Sequence, residues 1–75
     1  MTRKQLALYK VIKEYIEAYE MSPTIYELAT LTDKTPSTIS EMVKMLCLKG
    51  YVTKDNRKRS IRLTDKEVNI WNLIY

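Results

Sequence analysis

"ELATLTDKTPSTISEMVKMLCLKGYV", residues 27–52, is the stretch on which the reading of this chain turns. At its centre Thr35 precedes Pro36, the capping hydroxyl and first-turn proline of a helix start. From there Ile39, Met42, Val43 and Leu46 recur at three- and four-residue steps, which places them on one face of a helix running to Lys49. Ser37, Ser40, Glu41 and Lys44 fall on the opposite face. Leu48 departs from this division by falling near the polar face in the last turn, and is expected to pack under the segment that follows. Gly50, the only glycine in the chain, stands where a left-handed residue closes such a helix.

Upstream, "TIYE" sets Thr24 three residues before Glu27, a capping box for a short helix with Ile25, Leu28 and Ala29 inward and its end near Leu31. Pro23 separates it from a longer helix that opens on a second box, Thr2 with Gln5, and carries Leu8, Ile12, Tyr15, Ile16 and Tyr19 as one stripe. Downstream, "YVTK" and "RSIRL" read as two short strands in which Ile61 and Leu63 alternate with Ser60 and Arg62, joined by a turn at residues 55–58. "LTDKE" offers a third capping box, Thr64 with Glu67, and a helix to the end. The predicted order is helix, helix, helix, hairpin, helix: a mainly α fold with a small β-hairpin, divided into residues 1–63 and a C-terminal helix at 64–75.

Composition narrows the function classes. With 75 residues, 45% apolar and 29% charged, the chain reads as one globular domain with a thin stability margin. Its formal net charge is +4, and residues 54–62, "KDNRKRSIR", account for all of it: Lys54, Arg57, Lys58, Arg59 and Arg62 stand against Asp55 alone. Such asymmetry points to an acidic or phosphate-rich partner. Flanking strand-like residues argue against the competing reading of "RKR" as an import tag. There is one cysteine, Cys47, in an apolar helical run, so no internal disulfide is expected and a small core residue is. Charges at Arg3, Lys4, Lys10 and Lys13 leave no signal-peptide core. The expectation is a soluble, cytoplasmic, nucleoid-associated protein. With no histidine and no phosphate-cradling loop, neither a catalytic site, a metal site, a cofactor nor a small-molecule ligand is expected.

A short helix containing Ala29, a tight turn and a helix with a small, polar outer face form a helix-turn-helix arrangement; a bulkier side chain than Ala29 would force the two helices apart. Short side chains also let the second helix sit close inside a groove, and the DNA major groove, about 12 Å wide, admits one. The quoted stretch resembles the helix-turn-helix of bacterial winged-helix regulators such as the MarR group. From residue 2 to residue 63, the long first helix, "SPTIYELA" and the late "KGYV" and "RSIRL" look most like the DNA-binding domain of the LexA repressors. The turn position often filled by glycine in such families is Asp33 here. The self-cleaving protease domain that follows in LexA-type repressors is not expected in a chain ending at Tyr75.

The resemblance implies a winged helix-turn-helix that binds double-stranded DNA and regulates transcription, with repression as the expected direction and phage or plasmid control as the expected setting. Ser37, Ser40, Glu41 and Lys44 then face bases, Lys44 toward a guanine and Glu41 toward a cytosine amino group. The hairpin becomes the wing: Lys54, Arg57, Lys58 and Arg59 neutralise phosphates, and Arg57 or Arg59 enters an A·T-rich minor groove. Thr24, Tyr26, Lys34 and Thr35, at or near helix starts, supply further backbone contacts. Two readings stand for the last helix. In one, Trp71 and Val68 dock on the first helix of the same chain. In the other, Ile70, Trp71, Leu73, Ile74 and Tyr75 form a homodimer interface that sets two recognition helices about 34 Å apart on an inverted repeat. The alternative function is a winged-helix module that binds a protein partner and modulates a larger regulator.

Overall fold

The computed structural model describes residues 2–64 and contains α1 (Arg3–Tyr19), α2 (Ile25–Thr32), α3 (Pro36–Leu48), β1 (Val52–Thr53) and β2 (Arg62–Leu63). It has the mainly helical winged helix-turn-helix architecture expected from the sequence. Beyond Thr64, the helix expected at 64–75, Glu67 of its expected capping box and the expected dimer residues Ile70, Trp71, Leu73, Ile74 and Tyr75 lie outside the described residues.

The helix boundaries follow local chemistry. Thr2 and Gln5 exchange backbone and side-chain hydrogen bonds at 3.1 Å, and Thr24 and Glu27 do the same at 2.9 and 3.1 Å. Each pair satisfies two N–H groups that a helix start leaves without carbonyl partners. Thr35 caps α3 through the Thr38 N–H, with Pro36 in the first turn. At the other ends, α2 and α3 both close on a left-handed residue. Asp33 has φ 56° and Gly50 has φ 83°. The next N–H in each case reaches back five residues, Lys34 to the Ala29 carbonyl and Tyr51 to the Leu46 carbonyl, both at 3.0 Å. Glu20, at φ 54°, ends α1 in the same conformation before Pro23 is reached.

One core joins all the elements. Leu8, Tyr9 and Ile12 from α1, Leu28 and Ala29 from α2, Ile39, Val43 and Leu46 from α3, Val52 from β1 and Ile61 from the approach to β2 pack together, all buried. At about 1.5–3 kcal/mol for each large apolar side chain, this cluster is the main stabilising contribution. Tyr9 also meets Tyr51 edge-on, with ring centroids 6.3 Å apart. The buried face of α1 is thus wider than the predicted stripe: Leu6 and Tyr9 join it, while Tyr19 is exposed.

Two expectations need correction. Leu48 does not pack under the hairpin and is 73% exposed. It lies eleven residues after Ser37, three helical turns along the same outer stripe, while the chain reverses at Gly50 and reaches the core through Val52. The strands are also shorter than "YVTK" and "RSIRL", with only Val52 opposite Leu63 and Thr53 opposite Arg62. The cause is Ser60, which is buried next to buried Ile61 and so breaks the alternation. Its hydroxyl accepts from the Asp55 N–H at 3.2 Å and donates to the Arg57 carbonyl at 2.8 Å, closing residues 55–60 into a loop instead of extending the ladder.

Candidate nucleic-acid interface

Ser37, Ser40, Glu41 and Lys44 project from α3 on the side opposite Ile39, Val43 and Leu46, and all four are exposed. Their backbone is held firmly by the Thr35 cap, the buried face and the Gly50 closure. None of the four makes a side-chain hydrogen bond or ion pair among the described residues. A rigid helix with uncommitted polar side chains is an arrangement that reads an external hydrogen-bonding surface. Exposed Leu48 adds an apolar group at the far end of the same stripe.

The wing is built differently. The Asp55 carboxylate accepts from the Arg57 N–H at 2.8 Å, and this bond is the first reason its carboxyl is held below the usual range. Lys54 Nζ donates to the Asp55 carbonyl at 3.0 Å. Ser60 closes the loop from inside. Lys54, Arg57 and Lys58 are exposed on this frame, and the Arg57 guanidinium is only loosely paired, 3.9 Å from Asp55.

The fold brings together residues far apart in sequence. Thr24 and Tyr26 at the start of α2 line a groove of about 380 Å³ with Lys54, Asn56, Arg57 and Lys58 of the wing. An adjoining groove of about 370 Å³ is lined by Ser40 and Lys44 of α3 together with Lys54, Asp55 and Asn56. Ile25, Lys54 and Asn56 are common to both, so the polar face of α3, the start of α2 and the wing form one continuous surface. Asn56 is the residue that sequence reasoning missed. Its only signal was a place between Lys54 and Arg57, and it read as a turn residue.

Other expected residues are placed elsewhere or are already engaged. Lys34 borders a separate groove of about 420 Å³ with Arg3 and Lys4 at the start of α1. The Thr24 and Thr35 hydroxyls both accept capping bonds, and Thr35 also shares a 2.9 Å bond with the Thr38 hydroxyl. Tyr26 is 71% exposed. Arg59 turns back toward the body of the domain, where its guanidinium meets Glu27 at 2.9 and 3.2 Å and the Ser22 carbonyl at 3.0 Å. Cys47 is half-buried against the core, and burial raises its thiol pKa, which keeps it in the unreactive thiol form.

Among the described residues, no helix is long and apolar enough to cross a membrane. A comparison with curated proteins finds no match. The family described as "LexA DNA binding domain" matches residues 1–60, which take in all three helices, β1 and the wing loop. The chain therefore belongs to the LexA DNA binding domain family, whose role is DNA-binding regulation of transcription.

Proposed function

We propose that this chain is a sequence-specific, double-stranded-DNA-binding repressor of transcription. On this reading α3 lies in the major groove, where Lys44 donates to a guanine, Glu41 accepts from a cytosine amino group, and Ser37 and Ser40 adapt to neighbouring bases. Lys54, Arg57 and Lys58 hold phosphates, with Arg57 at the minor groove. The exposed Tyr26 hydroxyl contacts the backbone, as do N–H groups of the first turns that Thr24 and Thr35 cap, with Lys34 just ahead of α3 as a further cation. The observation that carries the proposal is the continuity of the two grooves, which sets the wing cations beside the polar face of α3. Ile70, Trp71, Leu73, Ile74 and Tyr75 supply a twofold interface on this reading, so the site is an inverted repeat with half-sites about one DNA turn apart.

Selection from random duplexes, followed by titration across a range of salt, tests the proposal. The expected result is an enriched inverted repeat with a log Kd against log[salt] slope near 4 per subunit, since each phosphate contact releases about 0.9 of a counterion. Failure to enrich any sequence above non-specific binding would sink it.

A second reading, a module that binds a protein partner, is favoured by a patch of exposed aromatic and apolar residues. Half-buried Tyr15 meets Tyr19 at a tilt of 49°, with ring centroids 4.6 Å apart, and the two share an open surface with exposed Tyr26 and Leu31. A partner bound there would show a shallower salt dependence and no duplex requirement.

A further inference from the structure

Glu27 is a carboxylate in the first turn of α2, on the half of the molecule that the reading above turns toward DNA, where a negative charge ordinarily weakens phosphate binding. Its geometry assigns it a different role. One oxygen accepts from the Thr24 N–H at 2.9 Å and from Arg59 Nη1 at 2.9 Å. The other accepts from the Tyr15 hydroxyl at 2.9 Å and from Arg59 Nη2 at 3.2 Å. Arg59 Nη1 also donates to the Ser22 carbonyl at 3.0 Å. A single carboxylate thereby joins the start of α2, the middle of α1 and the return arm of the wing. The Ile61 N–H, two residues from Arg59, adds a parallel tie to the Ser22 hydroxyl at 2.8 Å.

The paired contact of a planar guanidinium with both carboxylate oxygens fixes orientation as well as distance. This matters more here than in a longer hairpin, because only two residue pairs form the β-ladder. So short a ladder cannot by itself hold the angle of the loop that carries Lys54, Arg57 and Lys58.

We infer that Glu27 and Arg59 are positioning residues for DNA binding: their ion pair holds the wing at the angle from which its other cations reach the backbone, and Arg59 itself neutralises no phosphate. The inference rests on the DNA-binding reading above. It makes an expectation opposite in sign to simple charge counting. Removal of an acidic side chain from this half of the molecule weakens binding.

The test is a double-mutant cycle with Glu27→Gln, Arg59→Gln and the double variant, titrated against the duplex selected by the wild type. Circular dichroism at the titration temperature confirms that each variant is folded. Each single change should weaken binding about five- to tenfold, and the double should be no weaker than either, because both cut the same tie. Tyr15→Phe, which removes the bond to Glu27 and the longer 3.4 Å bond accepted from Arg59 Nη1 but leaves the charges in place, should weaken binding by a smaller factor and serves if Glu27→Gln fails to fold. In the free protein, hydrogen exchange at the Ile61 amide should speed up in Glu27→Gln. That arm needs no DNA, so it stands even if the wild type proves to bind no duplex. Tighter binding by Glu27→Gln would overturn the inference, since that is what an Arg59 released from Glu27 to a phosphate would give, and so would additive losses in the double variant, which mean that the two residues act independently. Unchanged Ile61 exchange would overturn it as well.

Discussion

The outer face of α3 and the wing are the two polar regions of this surface, and they are built on opposite plans. Ser37, Ser40, Glu41 and Lys44 have no side-chain partners among the described residues, yet stand on a backbone fixed by a cap, a buried stripe and a left-handed closure. The wing has almost no regular ladder, and its shape comes from side chains: Asp55 bonded to the Arg57 N–H, Ser60 to the loop carbonyls, Arg59 to Glu27. Discrimination between bases needs donors and acceptors that are free but aimed. Grip on a backbone needs charges held at a set angle, with little demand on their individual direction.

The sharpest way to break the comparison is to remove what both regions stand on. Ile39 is fully buried beneath α3, in the same cluster as Val52 and Ile61. Ile39→Ala should cost about 2–5 kcal/mol, measured by urea unfolding, a large share of the stability of so small a domain. Binding to every duplex should fall with it. Next in size, changing Lys54, Arg57 and Lys58 together to Ala should weaken binding to all sequences roughly a hundredfold and lower the salt slope by about 3, leaving the preferred sequence unchanged. Lys44→Ala should cost about 1–3 kcal/mol on the preferred site and relax selection at one base pair, with little change in non-specific affinity. If these two sets gave the same pattern, the division of labour between the regions would be wrong.

The smallest effect concerns acid. The Glu27 carboxyl is held at about 2, below its ordinary 4.5, first by the Thr24 N–H, then by Arg59 and the Tyr15 hydroxyl. A carboxyl depressed in this way contributes stability that is complete above pH 4.5 and is lost as pH falls toward 2. The urea midpoint of the wild type should therefore decline through that window, and that of Glu27→Gln should decline less. Asp55, also held below its usual range, leaves a residual slope in both.

The contrast between the regions also explains what could be read from sequence. The α3 region is specified locally: Thr35 beside Pro36, apolar residues at three- and four-residue steps, and Gly50 at the closure each declare themselves within a few positions, while Asp33 is marked by the family resemblance alone. The opposed faces of α3 were legible for that reason, and so were the capping boxes of α1 and α2 and the order of these three helices. The wing is specified by distant partners. Glu27 and Arg59 are 32 residues apart, and no periodicity links them. Arg59 therefore looked like one more cation in "RKR". Ser60 looked like an outward strand residue because its task, closing a loop from within, leaves the same mark in sequence as exposure does. Leu48 was misread for a related reason: its apolar character suggested burial, while its spacing from Ser37 placed it on the outer stripe.

Methylation interference on the selected duplex tests the central claim most directly. If α3 reads the major groove, N7 methylation of a guanine in each half-site should block the wild type, and Lys44→Ala should lose sensitivity at one such guanine while the wing variant keeps it. Binding that tolerates N7 methylation throughout the site, or a block that Lys44→Ala leaves unchanged, would contradict the assignment of base reading to α3.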